Sequence, residues 1–225
     1  MKKISALAAC AIATASVLST GCMSMMLSGA ATTKSFDDPP VRETVDSFPR
    51  ETLIGKWSAT GKEDTFIGGK RAMAQDIRED LELRDDGTCT STTTKSITES
   101  KLGIRYSGGI TGSDEAQRVT EGTWEYKDDV IKFDFSAEVA MGFFKRNVQW
   151  QIEQTVKWIS DEEFMLCMDE KQFDANARSM GGLGWNSRTV EPNGVETYVK
   201  KGGFMSPEQK SISYISPYKR VGDAE

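Results

Sequence analysis

Chemistry in this chain is bounded first by a residue it lacks: among 225 residues there is no histidine. Without an imidazole there is no Ser-His-Asp or Cys-His nucleophile and no HExxH zinc site. Carboxylate pairs and a Ser-Lys arrangement survive on paper, and no spacing points to either. The acidic clusters Asp85-Asp86, Asp128-Asp129 and Asp161-Glu162-Glu163 stand where turns are expected. None has the alternating ligands and sixth-position glycine of a calcium loop. The stretch Ser179-Met180-Gly181-Gly182-Leu183-Gly184-Trp185-Asn186 is followed by no GK[ST], so it is no phosphate cradle. Its apolar residues among glycines suit either a flap over a cup mouth or a plain hairpin. The expectation is a non-enzyme with no cofactor and no metal.

The four cysteines fall into two classes. Cys10 and Cys22 belong to the N-terminal apolar segment and its end. Cys89 and Cys167 lie in segments that read as strands. In an oxidising compartment they are a candidate disulfide, which would close a loop of about 79 residues and stabilise by about 4.5 kcal/mol. The alternative is two buried free thiols acting as small apolar fillers. No CxxC exists, so redox catalysis has no support.

The first residues carry an address. Lys2 and Lys3 precede an apolar run from Ile4 to Leu18, which ends Leu18-Ser19-Thr20-Gly21-Cys22. A positive start, about 15 apolar residues and small residues at the cut read as an export signal over residues 1–21. The run is too short for a transmembrane helix, which needs about 20. Its end resembles a bacterial lipobox, in which Cys22 is lipidated and becomes the mature N-terminus. The leucine sits one place further back than in the usual pattern, while Gly21 fits. Ordinary cleavage near Ala13 to Gly21 is the alternative. Met23 does not look like an inner-membrane retention signal. The expected place is the bacterial cell envelope, at the outer membrane where the host has one.

Loss of the leader removes Lys2 and Lys3 and turns a formal net charge of −6 into −8. Such a surface repels phosphate backbones, which argues against a nucleic-acid partner. The expected membrane contact is therefore the N-terminal lipid. About 200 residues remain, enough for one domain and its tails. Residues 22–50 read as a lipidated N-terminus and a flexible tether, since Asp37-Asp38-Pro39-Pro40 and Pro49 oppose helix and central strand alike.

From Leu53 the pattern turns to strands. Val148, Trp150, Ile152, Val156 and Trp158 alternate with polar neighbours, with Gln154 the one exception. Ile131, Phe133, Phe135, Ala137 and Val139 repeat the period of two, as do Ile77, Leu81 and Leu83. Shorter runs fall at Leu102-Ile104-Tyr106, Trp124-Tyr126 and Phe164-Leu166-Met168. One apolar and one wet face per strand suits an antiparallel sheet. No helical period of comparable length appears. Asp85-Asp86-Gly87, Asp128-Asp129, Ser160-Asp161-Glu162 and Asn193-Gly194 supply turn residues at hairpin distances. The fold class is all-β: an antiparallel up-and-down meander closing into a barrel of about eight to ten strands, because closure removes exposed edges.

The ordered set Leu53-Ile54-Gly55-Lys56-Trp57, Asp85-Asp86-Gly87-Thr88, Gly122-Thr123-Trp124, Val130-Ile131-Lys132-Phe133 and Thr197-Tyr198-Val199-Lys200 resembles the bacterial lipocalin-like domains. The resemblance covers residues 51–201 and leaves 202–225 as a tail. It implies a small barrel with a ligand cup, and a structural part for Trp57 and Trp124. The long C-terminal helix of true lipocalins is not evident, though Ser206-Pro207-Glu208-Gln209 could start a short one.

A barrel interior is either filled or holds a small ligand. Trp150, Ile152, Trp158 and Trp185 are the candidate lining. Two functions follow. One is a lipid-anchored module that binds a small apolar or amphipathic ligand. The other is a structural lipoprotein whose packed, ligand-free barrel meets an envelope protein partner.

Overall fold

The computed structural model describes residues 33–101, 114–141, 144–179, 187–203 and 206–222. A helical turn, α1 (Arg50–Leu53), leads into β1 (Gly55–Ile67), β2 (Lys70–Leu83), β3 (Thr88–Ser100) and β4 (Glu115–Lys127). β5 (Val130–Met141), β6 (Phe144–Ser160) and the short β7 (Glu163–Cys167) complete the meander. Then come helix α2 (Glu170–Ser179), β8 (Ser187–Val190), β9 (Glu196–Lys200), β10 (Gln209–Ile215) and β11 (Tyr218–Arg220). From β1 to β7 each strand pairs antiparallel with the next. β11 pairs with both β7 and β1, which closes an eight-stranded barrel.

β1 serves two partners. Trp57 and Ser58 pair with β11, whereas residues 61–67 pair with β10, and β9 and β8 extend that sheet. The barrel therefore does not end at residue 201. The stretch read as a tail supplies the strand that closes it, and Ser206 forms a bridge with Gly203 instead of opening a helix. These strands are only seven and three residues long, too short for their alternation to stand out.

The helix α2 was not expected either. Its signal was local: the Gln172 amide N–H donates to Asp169 Oδ1 at 2.7 Å, and the Asp169 N–H donates to Gln172 Oε1 at 3.0 Å. That reciprocal pair is a capping box. β7 covers only residues 155–160 of β6. Beyond it, the Asn176 side chain stands in for a missing strand: its Oδ1 accepts from the Glu153 N–H at 2.9 Å and its Nδ2 donates to the Glu153 carbonyl at 3.1 Å.

Turn chemistry follows the sequence closely. Asp128 and Asp129 both hold positive φ, 51° and 61°, as a two-residue hairpin requires. Gly122 has a packing reason: a Cβ there would meet the Asp134 carbonyl oxygen at 2.2 Å.

The N-terminal segment is not free along its whole length. Ser35 donates its N–H and, at 2.7 Å, its hydroxyl to the fully buried Asp64 on the outer wall. The Val45 N–H donates to the Trp158 carbonyl at 2.9 Å, and the Phe48 ring meets Trp158 edge-on at 5.1 Å. From Thr33 on, the proposed tether is thus strapped to the barrel. The export signal, Cys22, the Leu102-Ile104-Tyr106 run, and Trp185 with nearly all of its glycine-rich stretch lie outside the described residues.

Candidate functional site

Directly opposed residues of antiparallel strands share a face, so register identifies what looks inward. Near the hairpin turns that precede β3, β5 and β7 the interior is solid. Trp57, Leu81, Leu83, Trp124, Ile131, Phe133, Val156, Trp158 and Phe164 are all buried in one cluster. Trp57 packs edge-on against Phe164 at 4.7 Å and against Trp158 at 6.5 Å. Leu53 of α1 covers this end and is fully buried, and its carbonyl accepts from Trp57 Nε1 at 2.7 Å. This is the floor.

Above the floor the inward residues change character. The pairings Glu79↔Thr93↔Arg118, Ile77↔Lys95↔Ala116 and Glu63↔Gln75 lie on the face that carries Trp57 lower down. Small side chains line this wall: Ala59, Gly61, Ser91, Thr93 and Ala116. The facing wall is aromatic, with Phe135 opposite Trp150 and their rings 5.9 Å apart. Ser91, Thr93 and Lys95 on β3, and Val148, Ile152 and Gln154 on β6, look inward yet are only half-buried. Solvent reaches these six, whereas Ala59, Gln75, Ile77, Phe135 and Trp150 at the same level are buried, so the upper interior is packed in part and wet in part.

Charge here is organised in three groups. Glu63 accepts from Lys95 Nζ at 2.8 Å, from Gln75 Nε2 at 2.5 Å and from the Ser211 hydroxyl at 2.7 Å. Desolvation alone would raise the Glu63 carboxyl. The Lys95 ammonium and the three hydrogen bonds outweigh it and hold the group below its ordinary value. Next, Arg188 binds Glu196 through Nη2 at 2.5 Å and Nε at 3.2 Å, while the Tyr198 hydroxyl donates to the same carboxylate. Burial first, and then Glu196, push the Tyr198 phenol upward. Third, at the edge of the floor, Tyr218 stacks on Phe164 at 5.3 Å and donates its hydroxyl to Glu79, and burial beside that acid raises its phenol too.

Arg118 differs from these. It is exposed, its guanidinium lies 4.8 Å from the Trp150 ring centroid, and it forms no ion pair among the described residues. A cation over an indole, beside half-buried inward residues, can hold an acidic or polar head while an aromatic wall takes an apolar body.

The candidate lining is thereby divided. Trp150 and Ile152 belong to the upper wall, whereas Trp158 is 1 % exposed and part of the floor. Gln154, the exception in the alternation, faces inward with them. Sequence reasoning missed Glu63, Gln75, Lys95 and Arg118, because polar residues on an inward face look like errors of period until register places them. Cys89 and Cys167 are free thiols. Cys89 sits on β3 in the floor cluster and Cys167 on β7, with β4, β5 and β6 between their strands. Burial pushes the Cys89 thiol up to about 11, so it is inert at neutral pH. Among the described residues no group of acids and cysteines could hold a metal ion, and no helix is long and apolar enough to cross a membrane.

No family model matches this chain, and no curated protein or solved structure matches it. What the fold defines is a class: an antiparallel eight-stranded closed barrel with three further strands and one short helix at its side.

Proposed function

We propose that this protein is a lipid-anchored, lipocalin-like barrel of the bacterial cell envelope that binds a small amphipathic molecule in its upper interior. One observation supports the reading: above the floor Ser91, Thr93, Lys95, Val148, Ile152 and Gln154 face inward yet are only half-buried, between a small, polar wall and the buried aromatic pair Phe135 and Trp150. A solidly packed barrel would bury these six side chains as it buries the floor. The apolar body of a ligand would lie against Phe135, Trp150 and Ile152, and its head near Arg118. The floor residues give the chamber a rigid base and have no part in binding. The export signal and Cys22 support the anchor, which would sit at the outer membrane where one exists.

Native mass spectrometry of the exported chain tests the binding. The expected result is a discrete added mass that solvent extraction removes and that is absent from Trp150→Ala, with folding retained. A bare mass, with no adduct after addition of single-chain lipids, would replace this reading by the structural one, in which the barrel meets an envelope protein partner.

A further inference from the structure

The two ends of the barrel differ in charge. At the closed end the three hairpin turns carry Asp85-Asp86, Asp128-Asp129 and Asp161-Glu162. At the mouth, Lys70 opens β2, Lys200 closes β9, and Arg71, Lys101, Lys201 and Lys210 stand next to strand ends. Acids stand there too. Glu99 is bridged by Arg71 at 2.7 Å and Lys101 at 2.6 Å, and Asp114, Glu115 and Glu208 lie at the same strand ends. Lys70, Lys200 and Lys210 have no carboxylate partner among the described residues.

The N-terminal segment meets the barrel at this same end. Arg71 Nη1 donates to the Thr33 carbonyl at 2.9 Å, and Ser35 is fastened to Asp64 near the upper end of β1. Only residues 23–32 then separate Cys22 from the barrel, and fully extended they reach about 35 Å. The 13 residues of β1 run about 43 Å along the strand, which at the usual barrel tilt makes a wall about 33 Å tall. A chain leaving at the mouth holds that end nearest the surface that carries Cys22, and only a fully extended segment would let the closed end reach it.

We infer that the mouth of the barrel faces, and its lysine rim docks on, an anionic lipid surface. The orientation rests on the lipid-anchored reading proposed above. Net charge does not oppose it. At physiological ionic strength charges are screened beyond about 8 Å, so the distant acidic turns lie outside the field that the rim lysines feel. Docked this way, the chamber opens toward the bilayer, where an amphipathic ligand would be found.

Lysine acetylation footprinting of the purified exported protein tests the face directly. The protein is bound to vesicles of phosphatidylcholine with or without phosphatidylglycerol, and each lysine is read by mass spectrometry. On anionic vesicles Lys70, Lys200 and Lys210 should fall several-fold in reactivity, while Lys56 and Lys127 at the closed end hold theirs. High salt or neutral vesicles should return the rim lysines toward their free reactivity. Equal reactivity at both ends, or protection of Lys56 and Lys127 instead, would overturn the inference. The mass of the N-terminal peptide reports Cys22 in the same experiment. An unmodified Cys22 removes the anchor, and rim protection on anionic vesicles then still reads the docking face by itself.

Discussion

The guanidinium of Arg220 lies 4.3 Å from the centroid of the Trp57 ring and donates to the carbonyls of Ile54 at 3.0 Å and Thr52 at 2.5 Å. One side chain thus ties the last strand to the first and to the helical turn beneath the floor. The carbonyls it satisfies belong to α1 and the residue after it, a segment too short to pair its own ends.

Arg220→Ala should therefore cost about 3 kcal/mol of stability, from the lost cation–π contact and two charge-assisted hydrogen bonds. Arg220→Lys should recover only part of this, because an ammonium cannot reproduce the planar fork. Urea unfolding measures both. A loss below about 0.5 kcal/mol for the alanine variant would place Arg220 among ordinary surface residues.

Glu63 makes stability depend on pH. Its folded pKa lies below the unfolded value of 4.5, so its contribution is fully present above that value and is lost as pH falls through the folded pKa. Glu63→Gln should flatten this acid limb. At pH 7 it should also cost about 2 kcal/mol, because the Lys95 ammonium keeps its partly buried place without a carboxylate. Unfolding curves from pH 7 down to 3 compare the two proteins. Parallel pH slopes would show that Glu63 is not the group responsible.

Asn176 closes an edge that no strand reaches. Asn176→Ala deletes both hydrogen bonds to the Glu153 backbone and should cost about 2 kcal/mol. The sharper readout is hydrogen exchange: the Glu153 amide should lose protection while β2 and β3 keep theirs. Unchanged exchange at Glu153 would mean that another group covers this edge.

Much of the barrel is legible in the sequence. The alternation from Val148 to Trp158 and from Ile131 to Val139, with turn residues between runs, required antiparallel hairpins. The order of those hairpins left closure as the way to remove edges. The floor was partly legible in Trp57 and Trp124. The helix α2 left a capping-box signal in Asp169 and Gln172, overlooked because the helix is short and lies beside a strand pattern. β10 and β11 left almost none.

The sequence by itself determined the strands, their turns and the absence of imidazole chemistry, since each of these is set by local geometry or by composition. It could not place Glu63 beside Lys95 and Ser211, or Arg118 over Trp150. Those pairings depend on register between strands distant in the chain. A shift of one residue would send each of these groups to the other face of the sheet. Only the closed tertiary structure decided which alternating residues became a packed floor and which became the half-buried, partly charged groups above it. It also decided that the last strands, read as a tail, complete the wall.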